Sequence, residues 1–411
     1  MRGVMSRRIS WLAVLVVGVT VGVASPATAV PAWTVVPSVD PSASVDTLAA
    51  VTARGTADAW AVGTYQGPNE HDGKIMLVEH WNGSAWSQTP TPNVTFFDEK
   101  LLAVSAGGAT DAWAVGSTNR TSFATTNPIA AHWDGAAWSI VPTPATTGSA
   151  KSILDGVADL TATNAWAVGK SRSGAALAEH WDGSAWSIVP TPAPVPPAGE
   201  TLGGSVLTGI SALSATDIWA VGSFTTAAGT VSNTYTLTEH YDGATWRVVA
   251  SPNPAPRHPL NGTRQVLKAV TAVGSSDVWA VGNTIDTASG SFLPDATMTL
   301  HYDGTAWSVV ASPDHSGEED ELLGLAAKSP TDVWAVGDFV DRTGATPVAN
   351  TLTLHWTGTS WATVASPNGP SGDTILNGAA PVPGTTSQVW AAGFTLPTSG
   401  GYRTYVLRHD G

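Results

Sequence analysis

The residues able to do chemistry in this chain recur in a fixed order. Six of its ten histidines begin the same phrase, His-aromatic-(Asp or Asn)-Gly-x-x-Trp: His80 to Trp86, His132 to Trp138, His180 to Trp186, His240 to Trp246, His301 to Trp307 and, with Thr357 in the acidic slot, His355 to Trp361. Arg408 holds the seventh His slot. A ring of imidazoles invites a metal site or a pH switch, but one His per repeat keeps neighbours far apart. A structural hydrogen bond to the adjoining turn is the expectation. The run Glu318-Glu319-Asp320-Glu321, near Asp314, could help hold Ca²⁺. No Asp-x-Asp-x-Asp-Gly loop accompanies it, so a solvated charge cluster is expected, with no metal and no other cofactor. With no Cys in the chain, disulfides, thiol nucleophiles, Cys-ligated zinc, iron–sulfur clusters and lipid anchoring through an N-terminal Cys are all excluded. Gly-x-Ser-x-Gly, His-Glu-x-x-His and a phosphate-cradling Gly loop are absent as well.

These residues must be positioned by a chain that is 43% hydrophobic and only 12% charged. Arg2, Arg7 and Arg8 precede an apolar run from Trp11 to about Ala24, and Ala27-Thr28-Ala29 supplies a small-x-small cleavage pattern. Residues 1–29 therefore read as an export signal. About 14 apolar residues fall short of the roughly 20 that span a bilayer, so no membrane insertion is expected. Ser10 after Arg7-Arg8 favours the general secretory route over the twin-arginine one. Removing Arg2, Arg7 and Arg8, with no acidic residue among them, moves the formal charge from −14 to −17. Such a chain is a poor partner for nucleic acid or an anionic membrane surface.

The string Trp-Ala-(Val or Ala)-Gly carries its Trp at 60, 113, 166, 219, 279, 334 and 390, at spacings of 53 to 60 residues. Twelve residues before each Trp stands a Leu, from Leu48 to Leu322, with Leu376 fourteen before. Between these marks the text reads as four short antiparallel strands: a begins at the Leu, b holds Trp-Ala-Val-Gly, c ends at His-aromatic and d starts at the second Trp. Asp-Gly between c and d signals a tight hairpin of type I′, and Asp or Asn two before the b Trp suits an Asx turn between a and b. Repeats of this length made of four strands signal propeller blades. The expectation is an all-β, seven-bladed β-propeller over residues 30–411, with blades at about 48–92, 101–144, 154–192, 207–252, 267–313, 322–367 and 376–411. That last repeat lacks strand d, and Trp33-Thr34-Val35-Val36-Pro37 matches the missing text. Residues 30–38 should therefore complete blade 7 and close the ring.

Strand b text ending in Gly, then aromatic-Asp and a Trp on the last strand, resembles the kelch repeat and its galactose-oxidase-like relatives. This chain has one Gly (Gly63, Gly116, Gly169, Gly222, Gly282, Gly337, Gly393) where kelch repeats have two. The resemblance implies the blade architecture. It does not carry the copper-radical chemistry of galactose oxidase, which needs a Cys cross-linked to Tyr.

Strand alternation puts the a–b and c–d turns on one face and the b–c and d–a connections on the other. The second set is long and differs between repeats, including 64–75, 223–235 and 338–350, so the functional face is placed there. Tyr65, Arg120, Lys170, Arg172, Phe224, Asn283, Asp338, Phe339, Arg342 and Phe394 enter it as candidate ligand-binding residues. Aromatics mixed with hydrogen-bonding groups suit a sugar. Three functions follow in order: a secreted, non-catalytic module recognising a glycan or cell-envelope polymer; a protein-interaction scaffold of an extracellular assembly; and a polysaccharide hydrolase or lyase. Two close carboxylates at the channel mouth would favour the enzyme, and a small aromatic cleft the lectin-like module.

Overall fold

The computed structural model describes residues 33–68, 73–92, 98–119, 126–148, 151–254, 262–285, 295–315, 319–344 and 346–411. The export signal expected at 1–29 and the candidate Arg120 lie outside them. Twenty-eight strands run through the described residues. They form five four-stranded sheets and one of eight, in which two four-stranded groups are joined by the single parallel pair Thr234↔Arg264. Seven four-stranded units result. The first has strand a at Asp46–Gly55, b at Asp58–Gln66, c at Lys74–Trp81 and d at Trp86–Gln88. In the last, a is Asp373–Pro381, b is Val389–Leu396 and c is Arg403–His409, while d is Trp33–Val35 from the other end of the chain. Trp33 pairs with His409 and Val35 with Leu407.

The units stack through their large side chains. Each strand-b Trp meets the strand-d Trp of the following unit edge to face: Trp60 with Trp138, Trp113 with Trp186, and so on to Trp334 with Trp33 and Trp390 with Trp86, at centroid distances of 4.8 to 5.7 Å. Edge-on geometry sets the positive rim of one indole against the negative face of the next. At the inner side, successive a strands touch backbone to backbone. A Cβ on Gly324 would lie 2.8 Å from the Cα of Gly378, and one on Gly378 would lie 3.0 Å from the Cα of Ala50. That contact explains why Ala or Gly stands two residues after every strand-a Leu.

Two expectations about turns are corrected. The c–d connection is a four-residue loop closed by the pairs Trp81↔Trp86, Trp133↔Trp138 and their equivalents, not a two-residue hairpin. Its Gly takes φ of 92° to 94°. The acidic residue before that Gly makes the Asx turn: Asp134 Oδ1 accepts the N–H groups of Ala136 and Ala137 at 2.8 and 2.9 Å. The Asp two before the b Trp points instead to strand c and takes the repeated His. His Nε2 and the Asp or Asn Oδ1 lie 2.8 to 3.0 Å apart in all six pairs, from His80–Asp58 to His355–Asp332. Each such imidazole also rests on its own strand-b Trp, 4.1 to 4.6 Å between centroids. The His series is structural.

Candidate functional site

Every strand a breaks register after its Leu, so that one residue has no partner on strand b. The seven bulged residues are Ala49, Leu102, Asp155, Thr208, Lys268, Leu323 and Asn377, each half-buried. The strand-b Gly makes the bulge possible, because a Cβ on Gly63 would stand 1.9 Å from the carbonyl oxygen of Thr47. A bulge re-aims the side chain it carries. Thr208 Oγ1 and Asn377 Nδ2 each donate, at 2.7 Å, to the carbonyl of the strand-a Leu in the next unit, Leu267 and Leu48. The bulged residues thus span the inner seams between units. This is the place in the repeat where the text does not repeat.

Charge gathers at that inner wall. Burial pushes the Asp155 carboxyl up to about 6, while the ammonium groups of Lys170 and Lys268 oppose the shift. Asp338 rises further, to about 7, through burial and the proximity of Glu321, Asp373 and Glu319, with Lys268 again opposing. Lys268 therefore acts on a residue two units back and on one in the next unit. Glu321 and Asp338 are direct partners across strands a and b of unit 6.

A second feature lies at the same ends of the strands in unit 4. Phe224 and Tyr235, with ring centroids 5.4 Å apart, wall a cleft of about 660 Å³ against Pro192–Pro197, with Thr236, Ser251 and Asn253 on its polar side. Behind the Tyr235 ring, Glu200 accepts from Tyr235 Oη at 3.1 Å, from Asn233 Nδ2 at 3.1 Å and from Thr226. Val195, on the opposite wall, is 87% exposed.

No protein-family model matches the chain, and no curated protein matches it. Among solved structures, it resembles YCF48 bound to D1 peptide: 16% identity over 93% of this chain and 98% of that one, TM-score 0.50. A polysaccharide lyase of family PL25, an ulvan lyase, matches at 10% identity over 90% and 95% of the two chains, TM-score 0.53. The GH74 xyloglucanase from Xanthomonas campestris matches at 13% identity over 90% of this chain and 55% of that one, TM-score 0.52. The fold is a β-propeller. At these identities the likeness extends no further, and propellers host many unrelated functions.

The candidate residues separate on this propeller. Phe224 joins the cleft, and Asp338 and Lys170 join the inner-wall charges. Arg172 donates through Nη2 to Asn127 Oδ1 at 2.5 Å and borders a separate cavity of about 340 Å³. Tyr65 packs against the core of units 1 and 7, Asn283 is 1% exposed, and Phe394 meets Tyr402 edge-on at 5.4 Å. Phe339 stacks on His315 at 4.0 Å, and Arg342 pairs with Glu319. The acidic run near Asp314 divides among partners: Glu319 goes to Arg342, Asp320 accepts the His315 N–H, and Glu321 faces Asp338. Among the described residues, no three His, Asp or Glu are placed to hold a metal ion. Several candidates read as loop residues stand on strands, since b and c of unit 4 run from Asp217 to Ala228 and from Val231 to Tyr241. Sequence reasoning missed Asp155, Lys268 and Tyr235. The first two were visible as the variable letter between the strand-a Leu and its small residue.

Proposed function

We propose that this chain is a secreted seven-bladed propeller that holds a glycan or cell-envelope polymer on its b–c and d–a face without altering it. Residues 1–29 direct export, and residues 30–411 close the ring. The seven four-stranded units, the pairing of Trp33–Val35 with Arg403–His409, and the hydrogen bond from Asn377 of unit 7 to Leu48 of unit 1 support the closed ring. The observation that carries the binding reading is the cleft of unit 4. Phe224 and Tyr235 line the cleft, Asn253 stands exposed on its polar side beside Thr236 and Ser251, which bond to each other, and Val195 exposes apolar surface that a guest would cover. A second reading, a polysaccharide hydrolase or lyase, draws on the paired carboxylates Glu321 and Asp338. A scaffold for a secreted protein partner is the third.

The test is a binding screen of the mature chain on glycans and cell-wall polymers, with a product-release assay on every hit. Saturable binding without product is expected, weakened about ten-fold by Val195→Asp, which changes an exposed residue and leaves the fold intact. Release of shorter saccharides would assign the enzyme reading instead. Failure to bind any glycan would overturn both in favour of a protein partner.

A further inference from the structure

The cavity beside Arg172 occupies the place in unit 2 that the aromatic cleft occupies in unit 4. Strands b and c of unit 2 run from Asp111 to Thr118 and from Asn127 to Trp133. Thr118 stands two residues after the strand-b Gly and pairs with Asn127 across the ladder, as Phe224 pairs with Tyr235 in unit 4. Ile140 and Val141 border the cavity as Val248 and Val249 border the cleft. Where unit 4 has two rings, unit 2 has a hydroxyl and an amide, and Arg172 enters from unit 3. The volume, about 340 Å³, is that of a small-ligand site, and Pro142 and Pro144 complete its apolar wall.

Arg172 is held there with most of its donors unused. Its Nη2 donates to Asn127 Oδ1 at 2.5 Å and to the Thr126 carbonyl at 3.4 Å, while Nε and Nη1 meet no acceptor among the described residues. No carboxylate opposes it either. Arg54, Arg247, Arg342, Arg403 and Arg408 each pair with an acid, and Arg264 is exposed, so among the described residues Arg172 is the half-buried arginine that lacks one. The second sign is Thr118, which lines the same cavity. It is 4% exposed, and its hydroxyl has no hydrogen-bond partner among the described residues.

A charge drawn partly out of water without a counter-ion is costly, and so is an unpaired hydroxyl. A guest carboxylate offsets the first cost directly, because charge-assisted hydrogen bonds from a guanidinium to a carboxylate are among the strong ones. We infer that this cavity takes a uronate residue of the polymer, its carboxylate accepting from the donors that Arg172 leaves unused. This rests on the glycan reading above. The field of a chain of net charge −14 opposes an acidic guest at long range, so the preference is set by contact at Arg172.

Calorimetric titration of the full mature chain with a galacturonate oligomer and with its methyl ester tests the inference. The acid form is expected to bind about ten-fold tighter or better. Arg172→Gln should bring the two forms to within about two-fold of each other while the ester binds as before, which also shows that the variant is folded. Arg172→Lys, which keeps the charge and loses the planar fork, should retain part of the preference. Equal affinity for the two forms, or a preference that survives Arg172→Gln, would overturn the inference and leave the glycan reading standing. If neither oligomer binds, the inference falls, and the wider polymer screen decides the glycan reading.

Discussion

Glu179 and Glu239 are fully buried, and neither oxygen of either side chain has a hydrogen-bond partner among the described residues. Glu79 fills the same slot of strand c in unit 1, where its Oε2 accepts the Val39 N–H at 3.2 Å. Val39 comes six residues after the d Trp, and at the corresponding places before units 3 and 4 stand Pro144 and Pro192, which have no N–H to give. Desolvation pushes Glu179 and Glu239 up to about 8, and Glu79 likewise. An acid whose folded pKa is raised binds its proton more tightly in the native state. Its stabilising effect is complete below the unfolded value of 4.5 and is lost as pH rises toward 8. The melting temperature should therefore fall between about pH 5 and pH 8. Glu179→Gln and Glu239→Gln should each raise it at pH 8 and change it little at pH 5, as read by thermal denaturation at both values. Identical effects at the two pH values would mean that these carboxyls stay neutral or reach water.

Strand a with its bulge is the element that defines the inner wall, and the strand-b Gly is its weak point. A Cβ on Gly169 would fall 2.0 Å from the Ile153 carbonyl oxygen. Gly169→Ala should thus cost about 3 kcal/mol or more in urea unfolding, and a cost below about 1 kcal/mol would show that the bulge can open without penalty. The strands themselves were legible in the sequence, because Trp-Ala-Val-Gly and His-aromatic are fixed marks in every repeat. Their connections were not. The text Phe224-Thr225-Thr226-Ala227-Ala228 lacks hydrophobic alternation and reads as loop, yet Thr pairs well in a ladder whose neighbours are already aligned, and the hairpin continues to Gly229. The turn chemistry was misassigned for a similar reason: two Asp series stand close to strand ends, and only three-dimensional pairing shows which one bonds the backbone and which one the imidazole. The inner-wall charges escaped because each occurs once, in a single repeat, and a search for recurrence passes over them.

Across residues 33–411, stacking of like units through edge-on indoles supplies the common interface. The interface between units 6 and 7 is built partly from the N-terminal strand, since Trp33, 3% exposed, meets Trp334 at 5.4 Å and His409 at 5.3 Å. Trp33→Ala should lower stability by about 3–5 kcal/mol. Deletion of residues 31–38 should lower it further, because it also removes the ladder to Arg403–His409. A truncated chain with the melting temperature of the intact one would show that the last unit holds without its borrowed strand. Borrowing has another outcome. The three-residue strand that pairs with Arg403–His409 is tied to its own sheet only through the whole length of the chain, and a second molecule carries an identical copy. When refolding is crowded, each molecule can accept its neighbour's strand in place of its own, and strand-exchanged dimers that part again on dilution and unfolding are the expected by-product.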